Sequence, residues 1–285
     1  MPKRIARGGK ISSPPLPPTD RVLNCIESRD TGNDWQLDVA KDAGLISTAL
    51  AIPPSVDLRT DWWAVGDQGR TGSCVGWAAA DGVLRWHFVR AGKLDLNALL
   101  SVRYVWMAAK ETDGFKSRPT SFIEADGTSL KAALDIARKY GVVTDSELPF
   151  ATGELYKGQE AAFYSLAATR KISSYYSLRW PFLPMPRSLV VSSFKLWLAT
   201  NGPILVRLVV DKTFNGLMND SNGNLDTYKP YSSGSGGHAV AIVGYTPTSF
   251  IVRNSWGPRW GDKGFGYASY KYTAAAFTEA YGVMM

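Results

Sequence analysis

Two cysteines and two histidines are the only thiols and imidazoles in the 285-residue chain. Nucleophilic thiol chemistry therefore has few arrangements to choose from. Cys74 stands in "GRTGSCVGWAAADG", where glycines give way to an apolar, helix-compatible run. Ser73 before it is a candidate helix N-cap. A thiol in the first turn of a helix sits at the positive end of the macrodipole, which favours the thiolate that attacks carbonyls. That push is small, and a nearby imidazolium would add the larger one. His87 cannot supply it, because it lies roughly 20 Å further along the same expected helix. It reads as a structural residue near the helix end. His238 is then the remaining base.

His238 opens the apolar run "HAVAIVGYT", and "FIVRNSWG" returns beside it after the turn "TPTS". This hairpin brings Asn254 within two or three residues of lying across from His238. An Asn carbonyl engaging one imidazole nitrogen leaves the other to face the thiol, so nucleophile, base and orienting group are accounted for. Trp256 reads either as a shield over the Asn–His bond or as an ordinary core tryptophan. Acyl transfer also needs donors for an oxyanion. The Cys74 backbone N–H is one candidate, and the Gln68 side-chain amide in "DQGRTGSC" is the second.

These residues need elements to hold them. Ser73 to about Arg90 reads as a helix with apolar residues around nearly its whole circumference, as expected at the centre of a lobe. Two further helical patterns follow, "LSVRYVWMAAKET" and "GTSLKAALDIARKYG". The second half turns to β-branched and aromatic runs bounded by turn residues: "PILVRLVV", "HAVAIVGYT", "SFIVRNSW" and "GFGYASYKY". A helical half followed by a strand-rich half predicts an α+β protein with its cleft between two lobes. The aromatic and proline-rich segment 173–188 reads as a surface loop. Residues 1–50 are polar and proline-punctuated, and globular composition begins near Ile52.

The bulk composition narrows the function classes. The chain is 45% hydrophobic and 12% aromatic, with a formal net charge of +7. No apolar run approaches the ~18–20 residues that span a bilayer. The N-terminus is basic (Lys3, Arg4, Arg7, Lys10) but lacks the apolar core of a secretory signal. The expected location is therefore cytoplasmic or reached by a non-classical route. No nucleic-acid module accompanies the basic cluster, so a nucleic-acid partner is not expected. Two cysteines make no disulfide framework. Cys25 reads as a free thiol, with a regulatory bridge to Cys74 as the alternative.

With these residues in view, the sequence resembles the papain-like cysteine protease family. "DQGRTGSCVGWA", "GGHAVAIVGY" and "NSWGPRWGDKGFGY" resemble that family's three active-site blocks, whose local signature is a known pattern. "IPPSVDLR" resembles the start of the mature enzyme, so coverage is most of 52–285. The resemblance implies a helical L lobe and a β-barrel-like R lobe with the active cleft between them. It implies Cys74 as nucleophile, His238 as base and acid, Asn254 as orienter and Gln68 as oxyanion donor. Asp126, Gly127, Gly237, Trp256 and Trp260 would line substrate subsites, with Asp126 and Gly127 on the acyl side of the scissile bond. No metal or organic cofactor is implied, although a reductant is needed to keep Cys74 free.

Three departures stand out. Thr71 replaces a usual cysteine, Val75 replaces the usual aromatic after the nucleophile, and His238 follows Cys74 at a longer interval than the ~130–150 residues quoted for the family. The implied function is a monomeric endopeptidase acting on protein or peptide substrates through a thioester. Residues 1–51 are an N-terminal extension read as a zymogen-like segment, part of residues 15–50 covering some of the cleft of a 52–285 peptidase domain, with a disordered leader as the alternative. The alternatives are an exopeptidase or transpeptidase on the same machinery, or a latent papain-fold binding protein.

Overall fold

The computed structural model describes residues 21–46, 51–113, 126–151, 156–179 and 185–285. The basic cluster at Lys3–Lys10 and the first proline run lie outside them. Strand β5 (Gly237–Tyr245) is the axis of the structure, and all nine of its residues are buried. It reads as a continuous apolar run because both of its faces are covered. Ala239, Ala241 and Val243 enter one apolar cluster with the helix that begins at Cys74. Val240, Ile242 and Tyr245 enter a second cluster with helix α7 (Arg187–Thr200) on the opposite side. The small residues on the first face let the helix approach closely. A side chain at Gly82 would collide with the Ala241 methyl.

The sheet runs β2-β8-β3-β5-β6-β7-β4, with short β1 (Val56–Asp57) added beside β5. The strands are β2 (Ser174–Ser177), β3 (Ile204–Val209), β4 (Asn224–Leu225), β6 (Ser249–Arg253), β7 (Phe265–Ser269) and β8 (Phe277–Met284). All pairs are antiparallel except β4 with β7. Two lobes form, as expected, but the described strands follow an open path and do not close into a barrel. The segment 173–188 differs from the loop expectation. Residues 174–177 pair with the C-terminal strand, and Arg187 already starts α7. Tyr175 and Tyr176 in alternation suit a half-buried strand, a signal that neighbouring prolines obscure in the sequence.

The helical lobe is built on α2 (Cys74–Gly76), a π-helical stretch over Trp77–Leu84, and α3 (Arg85–Arg90), joined without a break. The wider turn was not legible in the sequence. Helices α4 (Val102–Thr112) and α5 (Leu130–Lys139) pack beside it. Ser101 and Ser129 cap them by accepting from the N–H groups of Tyr104 and Ala132. Ser73 makes no such cap. Its hydroxyl instead pairs with Thr71 Oγ1 at 2.6 Å.

The remaining helices are α1 (Leu37–Asp42), α6 (Glu160–Ala168), α8 (Lys212–Gly216) and α9 (Tyr270–Ala276). The first belongs to the N-terminal segment, and its Leu37 and Ala40 enter the second apolar cluster together with Ile46.

Candidate active site

The seam between the lobes is stitched by backbone bonds that also carry the site residues. Gln68 N–H donates to Ser255 O at 2.8 Å, and Gly257 N–H donates to Gly66 O at 3.0 Å. The loop before the nucleophile is thus fixed to the loop after Asn254. Thr71, standing where a cysteine was expected, closes its own turn. Its hydroxyl donates to Gln68 O at 2.8 Å, and its carbonyl accepts from Gln68 Nε2 at 3.0 Å. Hydrogen bonds hold the loop that a disulfide would otherwise staple.

A buried charge cluster registers the helix against the sheet. Arg253 reaches Asp81 at 2.7 Å and Ala64 O at 2.6 Å, and Arg85 approaches Asp81 at 3.2 Å. One carboxylate between two guanidiniums is costly to uncouple in a buried setting. Because Arg253 immediately precedes Asn254, this cluster fixes the strand end that presents the orienting residue.

His238 Nε2 lies 2.7 Å from Asn254 Oδ1, which also accepts from the Ser255 N–H. The other ring nitrogen has no hydrogen-bond partner of ordinary geometry among the described residues, while the imidazole interacts with the Cys74 thiol. The pairing of Ala241 with Arg253, continued outward, would set His238 opposite Trp256. Asn254 is two residues short of that position, within the offset the sequence allowed. Trp256 lies over the imidazole at a centroid distance of 4.9 Å, with Phe214 edge-on at 5.7 Å. The rings keep water from the Asn254–His238 bond.

Gln68 is buried, and its Oε1 accepts from Ser255 Oγ at 2.8 Å. One amide hydrogen goes to Thr71 O, and the geometry leaves the second uncommitted. Trp260 is fully buried, donates to Phe214 O at 3.0 Å and packs against the Phe214 ring. His87 is also apart from the site, buried against the edge of Trp86.

The groove at this seam is filled by residues 21–28. Arg21 pairs with Asp67 at 2.5 Å, donates to Gly69 O and Trp256 O, and lies over the Trp256 ring. Cys25 N–H donates to Gly237 O at 3.0 Å, Arg207 Nε donates to Cys25 O at 3.0 Å, and Ile26 N–H donates to Thr128 O at 3.1 Å. Ser28 N–H donates to Glu279 at 3.1 Å. Side chains at Gly127, Gly236 or Gly237 would collide with the backbone of Asn24, Leu23 or Cys25. The three glycines therefore admit a main chain at close range.

Arg207 and Glu279 both contact residues 25–28; the sequence reading did not use Arg207, and it favoured a surface carboxylate at Glu279 over a place by the specificity pocket, whereas the side chain is largely buried. A lone arginine inside the apolar run "PILVRLVV" was the available signal for the first.

Cys25 brings its side chain to Cys74. The hydrogen bond from Cys25 holds the Cys74 thiol well below its ordinary pKa, aided by His238 and the Ala239 N–H and opposed by burial. Burial, followed by the neighbouring Cys74 sulfur, pushes Cys25 well above its ordinary value. The two thiols are thus pushed in opposite directions, Cys74 down and Cys25 up. Burial, only partly opposed by Ser28 and Arg207, raises the Glu279 carboxyl.

A helix-borne thiol, a strand-borne imidazole and its asparagine partner at a two-lobe seam match the arrangement of papain-type cysteine proteases. Residues 52–281 match the Papain family cysteine protease family, and the chain belongs to it. Among solved structures, it is similar to xylellain, a cysteine protease from Xylella fastidiosa, with a TM-score of 0.71 at 20% identity over 97% of this chain and 99% of that one. Procathepsin L 3 of Tenebrio molitor gives a TM-score of 0.65 at 18% identity, covering 94% of this chain and 78% of that one. These two likenesses are of fold.

By sequence, an uncharacterized peptidase C1-like protein of Acanthamoeba polyphaga mimivirus is 25% identical, covering 73% of this chain and 65% of the relative. Macrodontain-1 from Ananas macrodontes is 26% identical over 75% of this chain and 88% of its own length. No helix among the described residues is long and apolar enough to cross a membrane.

Proposed function

We propose that the chain is a cysteine endopeptidase whose cleft is held shut by its own residues 21–28. The observation that carries this reading is the buried line Cys74–His238–Asn254, with a Gln68 amide hydrogen uncommitted beside it. Cys74 attacks the peptide carbonyl while its backbone N–H and Gln68 Nε2 receive the oxyanion. His238 protonates the leaving amine, then draws a proton from the water that hydrolyses the thioester. Asn254 holds the imidazole in the orientation that serves both steps, and Trp256 shields their bond. This chemistry calls for no metal or organic cofactor.

The polarity of the groove segment supports the second half of the proposal. Arg21 lies at the Trp256 side and Ser28 at the Glu279 side. Family resemblance assigns the acyl side to Asp126 and Gly127, so a substrate would run the opposite way. The Cys25 carbonyl is engaged by Arg207, and the Cys25 side chain, rather than a scissile carbonyl, meets the nucleophile. The segment blocks without being cut.

Labelling by an epoxysuccinyl peptide, read as intact mass under reducing conditions, tests both halves. Deleting residues 1–29 removes the groove segment but keeps Leu37, Ala40 and Ile46 in the core. That variant should label at least tenfold faster than the full chain, and Cys74→Ala should not label. Failure of the folded deletion variant to label would overturn the peptidase reading and leave a latent binding protein. Equal rates with and without residues 1–29 would overturn the restraint.

A further inference from the structure

The chain has two cysteines, and the fold sets them against each other across the cleft. They are 49 positions apart in sequence, both free and both buried, at 2% and 0% exposure. Cys25 is held on both sides: its N–H bonds Gly237 O, its carbonyl accepts from Arg207, and its neighbour Ile26 bonds Thr128 O. Cys25 and Cys74 enter the same buried apolar cluster, and their thiols interact. A blocking segment needs only bulk at that point, which alanine, serine or valine would provide. A thiol adds one further capacity, a covalent bond to the nucleophile. The thiolate character of Cys74 makes it the sulfur that an oxidant attacks first.

We propose that Cys25 is the resolving thiol of a redox latch, forming a reversible disulfide with Cys74 when the protein meets a peroxide. The reading of Cys74 as an activated thiol comes from the proposed function, and the latch rests on it. In the first step the Cys74 thiolate attacks hydrogen peroxide. An S–O bond forms, the O–O bond breaks, and the departing hydroxide takes the proton held by His238 and leaves as water. Sulfur is oxidised by two electrons and peroxide is reduced. In the second step Cys25 sulfur displaces the hydroxyl of the Cys74 sulfenic acid. An S–S bond forms, the S–O bond breaks, and the Cys25 proton departs with the hydroxyl as water. Two thiols and one peroxide give one disulfide and two waters. The reduced segment is displaceable, whereas the oxidised one is not, and the nucleophile is kept off the irreversible part of the oxidation ladder. A dithiol reopens the site.

The test uses the full-length chain, wild type and Cys25→Ser, treated with hydrogen peroxide and analysed without reduction. The wild type should lose about 2 Da and yield a cross-linked peptide containing Cys25 and Cys74, while Cys25→Ser should gain about 32 Da or more on the Cys74 peptide. After a dithiol, wild-type labelling by the epoxysuccinyl peptide should return fully, and that of Cys25→Ser should stay at least tenfold reduced. Oxygen addition at Cys74 in the wild type overturns the latch. So does an unchanged wild-type mass under peroxide that oxidises the 1–29 deletion variant. The mass and peptide-map readouts need no turnover, so they decide the latch even if the reduced protein proves inactive on peptides.

Discussion

The two histidines are a natural experiment in what makes a buried imidazole reactive. His87 and His238 are both buried, at 5% and 0% exposure, and both contact a tryptophan ring. His238 has an asparagine carbonyl on one nitrogen and a thiol on the other side. His87 Nε2 is buried without a hydrogen-bond partner, and burial lowers its pKa to about 4. Burial alone makes a histidine neutral and inert. Two polar partners on opposite edges turn the same ring into a relay.

Exchanging the relay ring should have the largest effect. His238→Ala is expected to cut kcat/KM on a peptide substrate by about 10⁴-fold or more, whereas His87→Gln should leave it within about twofold. A large loss in folded His87→Gln protein would break the contrast. Next in size, Asn254→Ala removes orientation but leaves the base. A fall of about 10²-fold in kcat with KM little changed is expected, toward the low end of acid–base contributions. An unchanged kcat would show that Trp256 and Phe214 alone hold the ring.

The smallest effect belongs to His87 and appears in stability. Between about pH 6.5 and about 4 the unfolded chain binds the proton that folded His87 excludes, so stability rises with pH across this window and is lost as pH falls through it. The full displacement corresponds to roughly 3 kcal/mol. Urea unfolding of wild type and His87→Gln at pH 7 and pH 4 checks it. The variant should lose less stability on acidification, and parallel losses would remove His87 as the cause.

The same contrast shows what could be read from the chain. The meeting of His238 with Asn254 was legible because a two-strand hairpin leaves little freedom: a register error of two residues still keeps Asn254 in reach. The path of residues 21–28 was not, since it is set in part by main-chain bonds to Gly237 and Thr128 that carry no side-chain signature. The absent Ser73 cap, the π-helical turn and the open sheet escaped for a related reason. Each depends on tertiary neighbours such as Thr71, Ala241 and the partnering of β2 with β8, which local pattern does not encode.

The N-terminal segment has two parts, the stretch 21–28 along the seam and an apolar anchor at Leu37, Ala40 and Ile46. When the groove stretch lifts away, the anchor keeps it attached to the body by a few residues of chain. Its local concentration then stays in the millimolar range for so short a tether. Reclosure is a first-order event, indifferent to how dilute the protein is. Under the proposed restraint, dilution alone will not switch the cleft open, whereas a single cut between Ser28 and Leu37 would turn a captive blocker into a peptide that simply diffuses off.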